Sequence, residues 1–160
     1  MTKSPFLDKN IVLGVTGSIA SYKAVDLASK LTQAGAHVDV TLSSAAARFV
    51  TPLTFRSITH RPVITDMFDP NSELSVEHVA LAEKADIVVI APATANTLAK
   101  LANGLADDTL TTTVIATTAP ILIAPAMDAN MYESPTVQAN LDALRNRGVV
   151  VVGPASGRLA

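Results

Sequence analysis

Apolar and polar positions along the chain alternate between a period of two and a period near 3.6, from end to end. Asn10–Val15 is a short β-branched run that closes in a glycine turn and predicts a first strand. From Ser18 to Ala34, apolar residues recur at Ile19, Tyr22, Val25, Leu27 and Leu31, with Gly35 as the stop, which predicts a helix. His37–Leu42 alternates as a second strand. Ala45–Val50 and Thr54–Thr59 predict short helices around Pro52, and Pro62–Thr65 a short third strand. Asp66–Ser75 is polar, carries Pro70 and Asn71, and reads as a loop before a helix over Val76–Lys84. Asp86–Ala91 is a continuous apolar run, the mark of a central parallel strand. Asn96–Asn103 and Asp108–Thr117 predict helices, and Ile121–Ala124 a fifth strand. Ser134–Arg147 predicts a helix capped by Ser134, with Pro135 at its first position and Gly148 ending it. Val149–Val152 is the sixth strand. Strands alternating with helices imply right-handed crossovers and a six-stranded parallel sheet with helices on both faces, an α/β three-layer sandwich.

Composition narrows this picture. At 160 residues the chain suits one domain, and 49% apolar against 16% charged residues fits a well-buried sheet better than a disordered chain. Small Ala and Thr side chains are abundant and aromatics few, so close packing must rely on small residues. No repeat, low-complexity tract or interdomain linker interrupts the pattern. Residues 1–8 read as a loose arm before a domain over 9–160, and Met1–Pro5 lacks the apolar core of a signal peptide. No apolar run reaches membrane-spanning length. A cytoplasmic protein is the expectation. A net charge of −2 without a basic cluster argues against nucleic acid as a partner. The absence of cysteine excludes a disulfide or a thiol nucleophile within this sequence, and His37, His60 and His78 show no metal-ligand spacing.

In a parallel sheet, ligands bind beyond the carboxyl ends of the strands, near the point where strand order reverses. The turns after strands one, two, four and five are therefore the candidates. The first, Gly14-Val15-Thr16-Gly17-Ser18, offers a glycine for close backbone approach and a helix start that attracts phosphate. It lacks both the Gly-x-Gly-x-x-Gly dinucleotide pattern and the Gly-Lys-Ser/Thr of a P-loop, and strand two ends in Ser43-Ser44 without a ribose-binding acid. A single phosphate is the natural ligand. Ser43 and Ser44 serve equally as ligand contacts or as a helix cap. After strand four, Ala91-Pro92-Ala93-Thr94-Ala95-Asn96 leaves a slot walled by small residues, although Asn96 could simply cap the next helix. After strand five, Met127 and Met131 flank Asp128 and Asn130 in what reads as a loop, where they form either a soft pocket wall or loop packing. A lone His78 early in a helix is, by spacing alone, more often a surface residue than a catalyst.

Four segments carry a further signal. They are Gly17-Ser18-Ile19-Ala20-Ser21-Tyr22-Lys23; Glu77-His78-Val79-Ala80-Leu81-Ala82; Ala91-Pro92-Ala93-Thr94-Ala95-Asn96-Thr97-Leu98-Ala99-Lys100 with Gly104 and Ala106-Asp107-Asp108; and Pro125-Ala126-Met127 with Met131. In this order, and over nearly the whole chain from Lys9 onward, they resemble the homo-oligomeric flavin-containing cysteine decarboxylases. The resemblance implies a Rossmann-like, flavodoxin-like flavoprotein fold with bound FMN. It places the cofactor on Gly17, Ser18, Ile19, Ser43, Ser44 and Phe55, with the ring near Pro92, Ala93, Thr94, Ala95 and Asn96. It implies substrate contacts at Ala126, Met127, Asp128, Asn130, Met131 and Lys100, and it makes His78 the catalytic base; histidine as a residue type suits the movement of a thiol proton at neutral pH. It further implies trimers, often assembled into dodecamers, with flavin sites at subunit boundaries. Within the family the likeness is to the branch acting on 4′-phosphopantothenoylcysteine in coenzyme A biosynthesis, which in bacteria is fused to a phosphopantothenate–cysteine ligase domain. In that reaction FMN oxidises the cysteine end to a thioaldehyde, carbon dioxide leaves, and the enethiol is reduced to 4′-phosphopantetheine. No metal is implied.

Two departures bear on these expectations. The family loop usually reads Pro-Ala-Met-Asn, its Asn holding the substrate carboxylate, whereas this sequence has Asp128, with Tyr132 where Trp is common. An ionised aspartate repels a carboxylate, so Asp128 is protonated there, or Asn130 takes the role, or the substrate sits differently. In addition, Gly153–Ala160 looks like the start of the family's substrate-covering flap, so the flap and the ligase domain are expected to lie beyond this sequence. Two alternatives stay open at this point: a non-catalytic FMN-binding oligomer acting through partners, and a sibling such as a peptidyl-cysteine decarboxylase. His78 and Met127 argue against a flavin prenyltransferase of similar fold.

Overall fold

The computed structural model describes residues 4–69 and 77–155. Most of the polar loop expected over Asp66–Ser75 and the last five residues therefore lie outside the described residues. The strands are β1 (Asn10–Val15), β2 (His37–Leu42), β3 (Val63–Ile64), β4 (Ile87–Ala93), β5 (Ile121–Pro125) and β6 (Val150–Val151). The helices are α1 (Ser21–Gln33), α2 (Pro52–Thr59), α3 (Glu77–Lys84), α4 (Ala95–Asn103), α5 (Thr109–Ala116), α6 (Ala129–Glu133) and α7 (Pro135–Asn146), with a 3₁₀ turn over Ala46–Arg48. All strand pairs are parallel and the six strands lie in the order β3-β2-β1-β4-β5-β6. This is the expected Rossmann-like α/β sandwich, and its order reverses between β1 and β4.

Alternation along β1 sorts the core into two layers. Ile11, Leu13 and Val15 face Ala24, Ala28 and Leu31 of α1 and Phe55 of α2. Val12 faces the opposite layer, built from Leu81 of α3, Leu98 and Leu101 of α4, Leu110 of α5 and Leu141 and Leu144 of α7. Gly14 belongs to this second side, where an added Cβ would stand 2.4 Å from the Leu110 side chain. Small residues let the layers close, as the composition requires.

Several boundaries differ from expectation for physical reasons. The first helix begins at Ser21 rather than Ser18, because Ser18-Ile19-Ala20 folds as a turn: the Ser18 N–H donates to Thr16 O at 2.8 Å, and the Ser21 hydroxyl donates to Ser18 O at 2.6 Å. The strand expected over Asp86–Ala91 continues to Ala93, and its ladder with β5 skips from Ile90 to Ala93. Pro92 has no N–H to give that ladder. Thr94, not Asn96, caps α4, its hydroxyl accepting the Thr97 N–H at 3.2 Å. Ser134 occupies the N-cap of α7 as expected, but its side chain makes no capping bond. The stretch expected as a Met-containing loop holds a short helix, α6, capped by Asp128. Ser4–Asp8, expected within a loose arm, forms turns, and the Asp8 N–H donates to Gly35 O at 2.9 Å.

One buried charge fixes α3. The Asp39 carboxylate on β2 receives Arg61 Nε at 2.8 Å on one oxygen and Lys84 Nζ, from the last turn of α3, at 2.8 Å on the other. The Thr117 hydroxyl also donates to Ala82 O at 3.0 Å. Since α3 runs into β4, these ties hold its last turn at the amino edge of the sheet and direct its first turn, with His78, toward the carboxyl edge.

Candidate functional site

All four expected turns meet at the carboxyl edge, at the order reversal, and enclose a cavity of about 440 Å³ together with Lys100. That volume lies within the roughly 300–1,000 Å³ of small-molecule sites. The first turn contributes Gly17, Ser18 and Ile19; the second Ser43, Ser44 and Ala45; the third Thr94, Ala95, Asn96 and Thr97. The turn after β5 closes it with Ala126, Met127 and Asp128, plus Met131 from α6. A larger cavity of about 850 Å³ shares the Ala126–Met127–Asp128 wall and runs along α1, past Pro92.

Thr16 fastens two of these turns. It is 1% exposed, its hydroxyl donates to Pro92 O at 2.7 Å and accepts the Thr94 N–H at 3.0 Å, and its own N–H donates to Pro92 O at 3.3 Å. The β1 and β4 turns are thereby locked edge to edge. In Thr16→Val the Thr94 N–H loses its acceptor, which costs about 1–3 kcal/mol for a buried donor left unpaired. Chemical denaturation should show a lower midpoint at unchanged slope; an unchanged midpoint would refute the lock.

Gly17 is needed for space. An added Cβ would stand 2.4 Å from Ala45 Cβ and 3.2 Å from the Ala45 carbonyl carbon, so the first two turns approach too closely for any side chain. The approach gathers donors. Among the described residues, no hydrogen bond engages the backbone N–H of Gly17, Ile19, Ser44, Ala45, Ala95 or Asn96, nor the side chains of Ser44 and Asn96. Ser43 is partly committed, its hydroxyl accepting the Ala46 N–H at 3.1 Å, so the capping role is real. Converging free amides with hydroxyls make an anion cradle. This donor set and the small-residue slot beside it fit a flavin mononucleotide, which carries one phosphate and a flat ring.

Lys100 reaches the cavity only 23% exposed, and its ammonium donates to both Asp107 oxygens at 2.9 Å. That hydrogen bond, first among the causes, holds the Asp107 carboxyl below its ordinary 3.8. The folded form thus binds the proton less readily than the unfolded chain, so the pair stabilises above the ordinary value and is lost as pH falls through the depressed one. An NMR titration should place the Asp107 midpoint below 3.8; a midpoint at or above it would contradict the pairing.

Other expected residues lie elsewhere. Phe55 is 0% exposed in the core beneath α1, not on the wall. Ala93 is likewise buried, and acts through its backbone, its O accepting the Ala126 N–H at 3.1 Å. Asn130 and half-buried His78 line neither cavity. The Asp128 carboxylate is engaged by the Asn130 N–H at 2.9 Å, which makes it a cap whatever else it does. The two Met residues divide: Met127 packs on the core, whereas Met131 is 50% exposed. Ala45, Thr97 and Asp108 join the smaller wall without having been named as site residues, and Asp108 also closes a capping box with Thr111 at the start of α5. Among the described residues no cluster of His, Asp or Glu could hold a metal ion.

Comparison with known proteins agrees with this fold and with a flavin cofactor. The chain is 48% identical over 153 residues to the coenzyme A biosynthesis bifunctional protein CoaBC of Bacillus subtilis (strain 168), covering 96% of this chain and 38% of that protein. To the protein of the same description in Escherichia coli (strain K12) it is 42% identical over 152 residues, covering 95% and 37%. It thus spans little more than a third of the length of these curated relatives. Among solved structures, the FMN-dependent cysteine decarboxylase SpaF superposes with a TM-score of 0.88 at 36% identity, covering 95% of this chain and 87% of that one. A PPC decarboxylase mutant complexed with pantothenoylaminoethenethiol superposes with a TM-score of 0.81 at 29% identity, covering 92% and 83%. The profile of the family described as Flavoprotein matches residues 2–160. By that match and by these relatives, the chain belongs to the Flavoprotein family.

Proposed function

We propose that the chain is an FMN-dependent carboxy-lyase that decarboxylates 4′-phosphopantothenoylcysteine on the route to coenzyme A, as the decarboxylase part of a protein that also carries a ligase domain. The observation that carries this reading is the cavity at the order reversal, lined among the described residues by six whose amide N–H groups are unengaged, beside a slot of small residues. Gly17, Ser18, Ile19, Ser44 and Ala45 would hold the cofactor phosphate, and Thr94, Ala95, Asn96 and Met127 the ring. The bound flavin supplies two-electron oxidation and re-reduction at the cysteine end of the substrate. The protein's own share is positional and protonic. Thr16 keeps the two turns in register, Met127 offers the soft wall against which the cysteine end rests, and His78 takes the thiol proton as that end is oxidised.

His78 is the second residue of α3 and lies outside both cavity walls of one chain. Assembly into trimers, and from these into dodecamers, would set its helix beside a neighbour's flavin. Among the described residues no helix is long and apolar enough to cross a membrane. The relatives' place in coenzyme A biosynthesis supports a cytoplasmic protein. The test of the cofactor assignment is fluorescence titration of the flavin-free chain with FMN and with riboflavin. Tight, saturable quenching by FMN at one site per chain, with riboflavin at least about tenfold weaker, is expected for a phosphate anchor, since one charge-assisted hydrogen bond amounts to about 1.5–3 kcal/mol. Equal affinity for the two would remove the anchor.

A further inference from the structure

The larger cavity includes none of the first- and second-turn residues of the phosphate cradle, yet it shares the Ala126–Met127–Asp128 wall with the smaller one. A molecule whose reacting end rests on that wall extends its remainder into the larger space along α1. The charges there are unequal in kind. Among the described residues Lys23, on the first turn of α1, is the one cation of this lining and has no carboxylate partner. Its ammonium lies 5.8 Å from the centroid of the Tyr22 ring, a contact that steadies the head without neutralising it. Lys100, the cation expected from the sequence to meet the substrate, is held by both oxygens of Asp107. Of the two lining carboxylates, Asp128 accepts the Asn130 N–H, while Glu133 stands at the far end of α6.

We infer that Lys23 is a specificity-determining residue that binds the phosphomonoester end of the substrate in the larger cavity, while the cysteine end reacts at the shared wall. This rests on the function proposed above, which fixes the substrate as a long molecule with a thiol-bearing end and a phosphate end. Lys23 touches no reacting atom, so it sets affinity and selectivity and leaves the chemical step alone. Its attraction to a dianion falls with ionic strength, as for any partly exposed pair.

The experiment compares 4′-phosphopantothenoylcysteine with its dephosphorylated counterpart, on the flavin-loaded protein and on its Lys23→Ala and Lys23→Arg variants. Affinity is read by calorimetry, which needs no turnover, and KM and kcat by carbon dioxide release. In Lys23→Ala, affinity for the phosphorylated compound should fall at least tenfold and KM rise in step, with kcat, flavin content and affinity for the dephosphorylated compound within twofold of the parent. Lys23→Arg should retain most of the preference. Equal losses for both compounds, or no loss for either, overturn the inference. If the parent protein binds the phosphorylated compound in a Lys23-dependent way but releases no carbon dioxide, the inference stands and the decarboxylase reading falls.

Discussion

Replacing His78 with Asn is expected to stop carbon dioxide release from 4′-phosphopantothenoylcysteine while leaving bound FMN in place. The residue is the second of α3 and half-buried, and among the described residues no hydrogen bond or ion pair engages its side chain. Leu81 and Ala82 anchor that helix in the core at 2% and 4% exposure, and Lys84 ties its last turn to Asp39. Asparagine keeps the size and polarity but cannot accept and hold a proton. A positioned general base accelerates proton transfer by typically 10²–10⁴-fold, so kcat should fall by at least about 100-fold. The flavin absorbance and thermal midpoint should match the parent. Turnover within about threefold of the parent would remove His78 from the mechanism. Since His78 lies outside the cavity walls of one chain, the same experiment bears on assembly: mixing His78→Asn subunits with subunits defective in the flavin cradle should restore part of the activity if one chain serves another's site.

The second large effect is expected from Gly17→Ala. The new methyl would stand 2.4 Å from Ala45 Cβ, with backbone atoms of Ala45 at 3.2 and 3.3 Å behind it. Backbone cannot swing aside as a long side chain can, so the first two turns must separate. Separation pulls apart the amides of Gly17 and Ile19 from those of Ser44 and Ala45, and a phosphate then reaches only part of the set. Losing two charge-assisted hydrogen bonds of about 1.5 kcal/mol each weakens FMN by about 100-fold. The measurement is the same fluorescence titration. A compensating Ala45→Gly change removes the nearest atom and should recover part of the affinity. Wild-type affinity in Gly17→Ala alone would show that the close approach of the turns has nothing to do with the cofactor.

Much of this was legible in the sequence, and the reasons are local. The strands show as alternating or continuous apolar runs, and the glycine and proline punctuation marks the turns. The long apolar run ending in Pro92 declares its central position. What the sequence could not give is set by contacts between segments far apart in the chain. Gly17 reads as a generic phosphate-loop glycine, whereas its requirement comes from Ala45, on another turn. Thr16 reads as one more polar turn residue, and only the fold shows it buried and bonded to both Pro92 and Thr94. Phe55 illustrates the converse. An aromatic residue carried over from a family resemblance turns out to be a core residue, because α2 lays its apolar face on β1 and β2. The short helix α6 was missed because Ala-Asn-Met-Tyr-Glu is too brief to show a period; its Asp128 cap, accepting the Asn130 N–H, was the available signal. The split between Lys100 and Lys23 lay beyond sequence entirely, since it turns on which cation has found a carboxylate.

The central claim is that this chain, with FMN in the cavity at the order reversal, removes the carboxyl group of 4′-phosphopantothenoylcysteine. The most direct measurement supplies the FMN-loaded protein with substrate labelled in the cysteine carboxyl and collects the gas released. Labelled carbon dioxide should appear with repeated turnover, and the same protein freed of FMN should release none until the cofactor is added back. A protein that holds FMN stoichiometrically and releases no labelled carbon dioxide would contradict the account.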